Sequence, residues 1–315
     1  MKLPHRAPLA NLPTPLVAAP RLSEEIGVEV LLKRDDLTGV GLGGNKARAV
    51  EFHVGAAEVA AADVFLTGGG PRSNWVLTAA SGAVQRGLAV ELVMFGDRPP
   101  PGRGSLDLLD RLEGVRVTFT GDPARPSVDP VLESLFDRLE GAGRRPYAVG
   151  RGGADPVGAL GYVAAVDELE TQLERMGMAA GTVWLATGSC GTQAGLVAGF
   201  RRRSTAARIV GASVHRPVDE CRRRVRRISD STLEMLGVRE RSDVAWEVLD
   251  EREPDPAEVE NAGSLMARTE GVFLDPEYGS PALAALVREK SDLAQPIVFM
   301  VTGGTLNLFL GSSAA

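Results

Sequence analysis

Gly39-Val40-Gly41-Leu42-Gly43-Gly44-Asn45-Lys46 crowds its glycines directly ahead of a lysine. Gly39, Gly41 and Gly44 match the dinucleotide-binding fingerprint, which needs a buried strand just before it and a helix opening at its glycines. The preceding Lys33-Arg34-Asp35-Asp36 is charged, so any strand has ended several residues too early and the Rossmann reading fails. A phosphate-binding P-loop fails too, because Asn45 intrudes before Lys46 and Ala47 stands where a hydroxyl is required. What remains is a glycine-rich loop delivering one lysine. Such a loop suits a Schiff base with an aldehyde cofactor, pyridoxal phosphate, since small residues let a planar ring lie against backbone.

Composition makes that lysine conspicuous. Of 35 basic residues only Lys2, Lys33, Lys46 and Lys290 are lysine, and the guanidinium groups that supply the remaining charge cannot form a Schiff base. The chain has 315 residues, 44% hydrophobic and 24% charged, which fits a folded protein of one large or two medium domains. A formal charge of -6 argues against a nucleic-acid surface, so the arginine runs at 201–203 and 222–227 read as solvated helix faces. Two cysteines, Cys190 and Cys221, are too few for a disulfide framework. With no apolar run long enough to span a membrane, the expected location is cytoplasmic. The three histidines show no metal-ligand spacing, and no GxSxG elbow is present.

Short β-rich runs alternate with helical patterns, the signature of parallel α/β architecture. Strands are expected at Asp63 to Thr67, Ala89 to Phe95, Val115 to Phe119 and Pro146 to Val149. Helices are expected among them at Ser73 to Arg86, Ser105 to Leu112 and Val131 to Leu139. A second group of strands is expected at Val183 to Ala186, Arg208 to Val214, Val244 to Val248 and Ile297 to Val301. Gly150 to Gly153 with Asp155-Pro156 punctuates the crossing between the groups, and Pro99 to Gly102 reads as a surface loop. The expected division is a large cofactor-binding domain of residues 1–49 and 156–315 and a small domain of residues 50–155.

A phosphorylated cofactor needs a second feature, a cradle of backbone N–H groups at a helix start. The stretch Thr187-Gly188-Ser189-Cys190-Gly191-Thr192-Gln193-Ala194-Gly195 follows an apolar strand and supplies it. By itself it could equally be an ordinary glycine-rich turn. Cys190 reads as a small residue in a backbone-lined cup, since no histidine nearby in sequence could activate it as a nucleophile.

Several stretches together resemble one family. They are Asn11 to Leu16, Lys33 to Gly39, Gly43 to Arg48, Gly158 to Tyr162, Thr187 to Leu196, Glu270 to Tyr278 and Thr302 to Thr305. In this order they are similar to the 1-aminocyclopropane-1-carboxylate deaminase and D-cysteine desulfhydrase family of fold type II, tryptophan-synthase-β-like enzymes. The resemblance spans nearly the whole chain. It implies that Lys46 holds pyridoxal phosphate and later shuttles the substrate α-proton, while Thr187, Gly188, Ser189, Cys190, Gly191 and Thr192 hold the phosphate. It further implies cofactor contacts from Asn45 and Asn74, substrate contact from Ser73, an active-site role for Tyr278, and Thr302 as hydroxyl partner of the pyridine nitrogen. Ser73 also suits a helix N-cap, and Tyr278 could instead be a packed aromatic with a satisfied hydroxyl.

Departures from the family pattern accompany the matches. Arg72-Ser73-Asn74-Trp75 stands where the family has Gln-Ser-Asn-His, so pocket shape or proton chemistry should differ. Glu251 to Pro256 replaces a segment that carries a second tyrosine in the deaminases, the lysine expected soon after Tyr278 is missing, and Val301 stands where a histidine is common. The resemblance therefore implies a homodimeric lyase that removes the α-proton and eliminates the β-substituent of a small amino acid, yielding a keto acid and ammonia. A hydroxyl at the pyridine nitrogen agrees, since a neutral partner leaves the ring a weaker electron sink. Ring opening of the cyclopropane is disfavoured by the missing tyrosine. β-Replacement on the same cofactor and a non-catalytic cofactor-binding paralogue stay open.

Overall fold

The computed structural model describes residues 3–100, 105–239 and 242–309. Met1, Lys2, Pro101 and Gly102 of the stretches read above lie outside the described residues. The first half contains β1 (Leu16–Ala18), α1 (Pro20–Ile26), β2 (Val30–Lys33), α2 (Lys46–Val59), β3 (Val64–Gly69), α3 (Asn74–Gln85), β4 (Ala89–Met94), α4 (Ser105–Leu109), β5 (Val115–Phe119), α5 (Val128–Gly141) and β6 (Pro146–Val149). The second contains α6 (Pro156–Arg175), β7 (Thr182–Thr187), α7 (Gly191–Arg203), β8 (Arg208–Ser213), α8 (Val218–Met235), β9 (Trp246–Asp250), α9 (Pro256–Glu270), α10 (Gly279–Glu289) and β10 (Ile297–Met300).

Two sheets result. One runs β1-β2-β10-β7-β8-β9 and the other β5-β4-β3-β6. Every pairing is parallel except that of β1 with β2. Strands β2, β3, β7 and β10 are buried at every residue, as parallel strands covered on both faces must be. Short polar signals start the helices. Asp155 accepts the Gly158 N–H at 2.9 Å with Pro156 in the first turn of α6, and Asp255 accepts the Ala257 N–H at 2.8 Å at the start of α9.

The parallel alternation matches the sequence pattern, with differences at particular elements. Strand β9 sits two residues beyond the expected Val244 to Val248, because Ile209 of β8 pairs with Trp246 and Gly211 with Val248. Helix α4 stops at Leu109, and α5 is longer at both ends than its apolar pattern indicates. Strands β1 and β2 carry no alternating signal and escape the sequence reading. Ser73 occupies the N-cap position of α3, but its side chain makes no capping hydrogen bond.

A buried ion cluster ties the N-terminal segment, β2, α2 and α6 together. The Arg48 guanidinium bonds Asp35 at 2.8 and 2.9 Å, Glu168 at 2.9 and 3.1 Å, and the Thr14 hydroxyl at 2.9 Å. Tyr162 donates to Asp35 at 2.5 Å. The Lys33 ammonium, fully buried, bonds the Thr14 carbonyl and Gln172 at 2.7 Å and pairs with Glu168. Burial alone would raise Asp35, yet Arg48 and the hydroxyls of Tyr162 and Thr14 hold its carboxyl below the usual range.

Removing Asp35 leaves a buried guanidinium without its fork partner. Asp35→Ala should therefore cost about 3–5 kcal/mol in denaturant unfolding. Since Asp35 is held below its ordinary 3.8, its contribution is complete above that pH and is lost as pH falls beneath it. The acid limb of the stability profile should flatten in the variant.

Candidate active site

Loops at the carboxyl ends of the parallel strands of both sheets enclose a cavity of about 980 Å³. One wall is the turn from β7 into α7. Cys190 adopts a left-handed conformation, φ 74°, which swings the chain around before the helix starts. Among the described residues, no carbonyl or side chain accepts the backbone N–H groups from Ser189 to Gln193. These free donors, at the positive end of a 13-residue helix, form an anion cradle. Glycine permits close approach there: a Cβ on Gly188 would lie 3.1 Å from the Tyr278 ring, and one on Gly191 would lie 3.2 Å from Ala154.

Opposite the cradle stands Lys46, the first residue of α2, with Asn45 at the helix cap. Asn45 spans the floor, donating its side-chain amide to the Thr192 hydroxyl at 2.9 Å and its backbone N–H to the Thr302 carbonyl at 2.9 Å. Gly44 at φ +106° and Gly303 at φ +91° allow these loops to touch, since a Cβ on Gly303 would lie 2.6 Å from the Gly44 Cα. Burial pushes the Lys46 amine down to about 8. An amine so placed is half neutral near pH 8, and its neutral fraction is able to attack an aldehyde.

The sequence-derived residues meet here. Asn45, Lys46, Ser73, Asn74, Thr187, Gly188, Ser189, Cys190, Thr192, Tyr278 and Thr302 all line the cavity, and Gly191 opens the helix behind the cradle. The side chains of Ser73, Asn74 and Thr302 have no hydrogen-bond partner among the described residues and stay available to a ligand. Two details differ from the sequence reading. The Thr187 hydroxyl donates to the Gln193 side chain at 2.8 Å, so that group is already engaged within the turn. Cys190 contributes backbone geometry, and its buried thiol is pushed up by its hydrogen bond with Cys221 and by burial.

Trp75 forms part of the inner wall, but its indole is 1% exposed, donates to the Thr67 hydroxyl at 2.9 Å and covers Gly153. It replaces a titratable ring with packing. No residue from Glu251 to Pro256 lines the cavity. Tyr162 is committed to Asp35, and Tyr147 lies 3.5 Å from His53, so neither replaces the missing tyrosine.

Two groups at the site escaped the sequence reading. The His215 Nε2 lies 3.0 Å from Glu277 and 3.2 Å from the Tyr278 hydroxyl, with the two rings edge to face. Asn307 donates to the other Glu277 oxygen at 3.1 Å. Its bond with His215 holds the Glu277 carboxyl low, while burial pushes Tyr278 up, so the phenol keeps its proton. The position of His215 just past the carboxyl end of β8 was the available signal. Asp275 fixes this corner by accepting the N–H groups of Glu277, Tyr278 and Gly279 at 3.1, 2.8 and 3.0 Å.

A buried amine, a set of free N–H groups at a helix start and a free hydroxyl at Thr302 lie in one cleft, and these residues fit a pyridoxal-phosphate group. The chain belongs to the pyridoxal-phosphate dependent enzyme family, whose profile matches residues 8–303. It is 34% identical over 305 residues to a Pyrococcus abyssi protein provisionally named 1-aminocyclopropane-1-carboxylate deaminase, covering 94% of this chain and 90% of that one. It is 33% identical over 315 residues to a D-cysteine desulfhydrase of Salmonella newport, covering 96% and 95%. A solved structure described as an ACC deaminase homologue superposes with a TM-score of 0.88 at 34% identity, covering 96% of this chain and 93% of that one.

Borohydride reduction of the loaded protein should fix the pyridoxyl group on Lys46 and leave the sealed Lys33 unlabelled, as read by peptide mapping. The loading rate of the apo-protein should rise with pH and level off above about 8, where Lys46 is neutral. Gly188→Val or Gly191→Val should weaken cofactor binding by about tenfold or more, because a branched side chain enters the cradle wall. Cys190→Ala should change turnover by less than about threefold. Loss of turnover with cofactor still bound would assign the thiol a chemical role.

Proposed function

We propose that the enzyme removes the α-proton of a small amino acid and eliminates its β-substituent, releasing a keto acid and ammonia, as a D-cysteine desulfhydrase does. The observation that carries this reading is Lys46, an amine held near neutrality in a cleft whose other side offers Ser73, Asn74 and Tyr278. Bound pyridoxal phosphate supplies the electron sink that acidifies the substrate Cα–H. The N–H groups of Ser189 to Gln193 would hold its phosphate, and Thr302 would offer a neutral hydroxyl to its ring.

Lys46 Nζ then takes the α-proton, as an amine with a pKa of about 8 can do near neutral pH. Ser73, whose side chain has no partner among the described residues, contacts the substrate at the start of α3, with Asn74 beside it toward the cofactor. Tyr278, steadied by His215 and kept protonated, faces the departing group. The bond from Cβ to the substituent breaks with its electron pair leaving on the substituent. The unsaturated amine left behind takes up water, giving keto acid and ammonia.

Cyclopropane opening is the weaker reading, because Tyr278 is the lone tyrosine among the lining residues. We infer the domain division at 49/50 and 155/156, the first break falling inside α2, with a homodimer in the cytoplasm. No helix among the described residues is long and apolar enough to cross a membrane.

Steady-state rates on both substrate types test the proposal. D-Cysteine or a chloroalanine should give a kcat/KM at least about 100-fold above that of aminocyclopropane carboxylate. Ser73→Ala should lower kcat/KM about tenfold or more with cofactor affinity within about threefold. Efficient ring opening without elimination overturns the assignment.

A further inference from the structure

The active-site cavity runs on into a second cavity of about 560 Å³, and the two share Arg125, Arg151, His215 and Arg216. Its walls come from both sheets' surroundings. Arg125 and Arg151 flank α5 and β6 on one side, while Arg216 and Arg224, before and within α8, stand on the other. Of the arginine run on α8, Arg222, Arg223, Arg226 and Arg227 are exposed, whereas Arg224 turns inward. The reading of that run as a solvated face therefore fails at one position.

The carboxylates in this second cavity are already engaged. Asp129 takes Arg151 in a two-pronged pair at 2.7 and 2.8 Å, and Glu220 takes Arg216, which also reaches the Gly188 carbonyl at 3.1 Å. Asp155 caps α6 and lies 3.4 Å from His53. Two guanidinium groups are left over. Arg224 has only the Ser189 carbonyl at 3.4 Å, with its Nε buried and unpartnered. Arg125 has no hydrogen bond or ion pair among the described residues. Arg125 is exposed at the rim of this cavity while Arg224 turns inward, and a guanidinium fork is suited to carboxylate, sulfonate or phosphate oxygens.

We propose that the second cavity takes the anionic far end of the substrate, so that the natural substrate is an amino acid whose β-substituent carries a negative charge. This rests on the elimination reading, in which the substituent points away from Lys46. A substrate so held reaches from the amine at Lys46, past His215 and Arg216, to Arg125 and Arg224. Shorter or neutral amino acids leave those two charges unmatched.

S-Carboxymethylcysteine and S-propylcysteine differ in charge at similar size, and both enantiomers of each are to be compared on the loaded enzyme. The carboxymethyl compound should show a kcat/KM at least about tenfold higher, expressed mainly in KM, as two charge-assisted contacts require. That ratio should fall to within about threefold in Arg125→Ala and in Arg224→Ala, while Arg222→Ala, on the exposed face, should keep it. The α-methyl derivatives of both compounds lack the proton to be removed, so calorimetric titration with them reads the cavity without turnover. The same tenfold difference is expected there.

Equal binding and equal kcat/KM overturn the proposal. So does a loss of cofactor affinity in Arg224→Ala with an unchanged ratio, which would assign that charge to the cofactor phosphate. Inorganic phosphate should compete with the carboxymethyl derivative, and simultaneous binding of both would make the cavity a separate anion site and also overturn it. Absence of keto acid from every compound, with the calorimetric difference intact, would refute elimination and leave the anion cavity standing.

Discussion

The bonds from Arg48 to Asp35 and Glu168 are the constraint on which the site depends. Arg48 is two residues after Lys46 on the same helix, so whatever fixes one side chain fixes the direction of the other. A charged fork buried among Asp35, Glu168, Thr14 and Tyr162 has one arrangement that satisfies it. That arrangement draws α2 against α6 and seats the loop after β2. Arg48 and Lys33 share Glu168, so the end of β2 is set by the same contact. The glycine-rich loop is thus pinned at both ends.

The other half of the site follows from parallel strand geometry. Each βα turn presents N–H groups at the carboxyl edge of its sheet, and two such edges face each other across the cleft. The cradle after β7, the Ser73-Asn74 turn after β3 and the Thr302 loop after β10 are therefore neighbours in space though distant in sequence. Gly44 against Gly303 closes the floor with backbone alone. Hydroxyls and amides are left to meet the ligand, while Asp275 and Asn45 absorb the work of holding loops in place.

Much of this was legible in the sequence for physical reasons. Lys46 stood out because arginine had taken nearly every other basic position, and the β7 turn declared itself by an apolar run ending in glycine and hydroxyl residues. What escaped was set by partners far away in the chain. Strand β2 ends in Lys33, a residue that argues against a buried strand until Glu168 and Gln172 are known to receive it. Strand β1 has three residues, too few for a pattern. His215 and Glu277 are 62 residues apart, and their partnership with Tyr278 exists only after β8 and α10 are placed side by side.

Cells contain reactive aldehydes other than the cofactor, and free amines add to them. Here the surface charge is carried by arginine, whose guanidinium does not form imines. Lys33 is sealed in its ion pair and Lys290 lies far from the cleft at the end of α10. The protein therefore offers simple monoaldehydes few amines for adventitious imine formation, and among the described residues Lys46 is the lysine that lines the cleft. Chemical selectivity is thus written partly into the outside of the molecule, by the omission of one side chain.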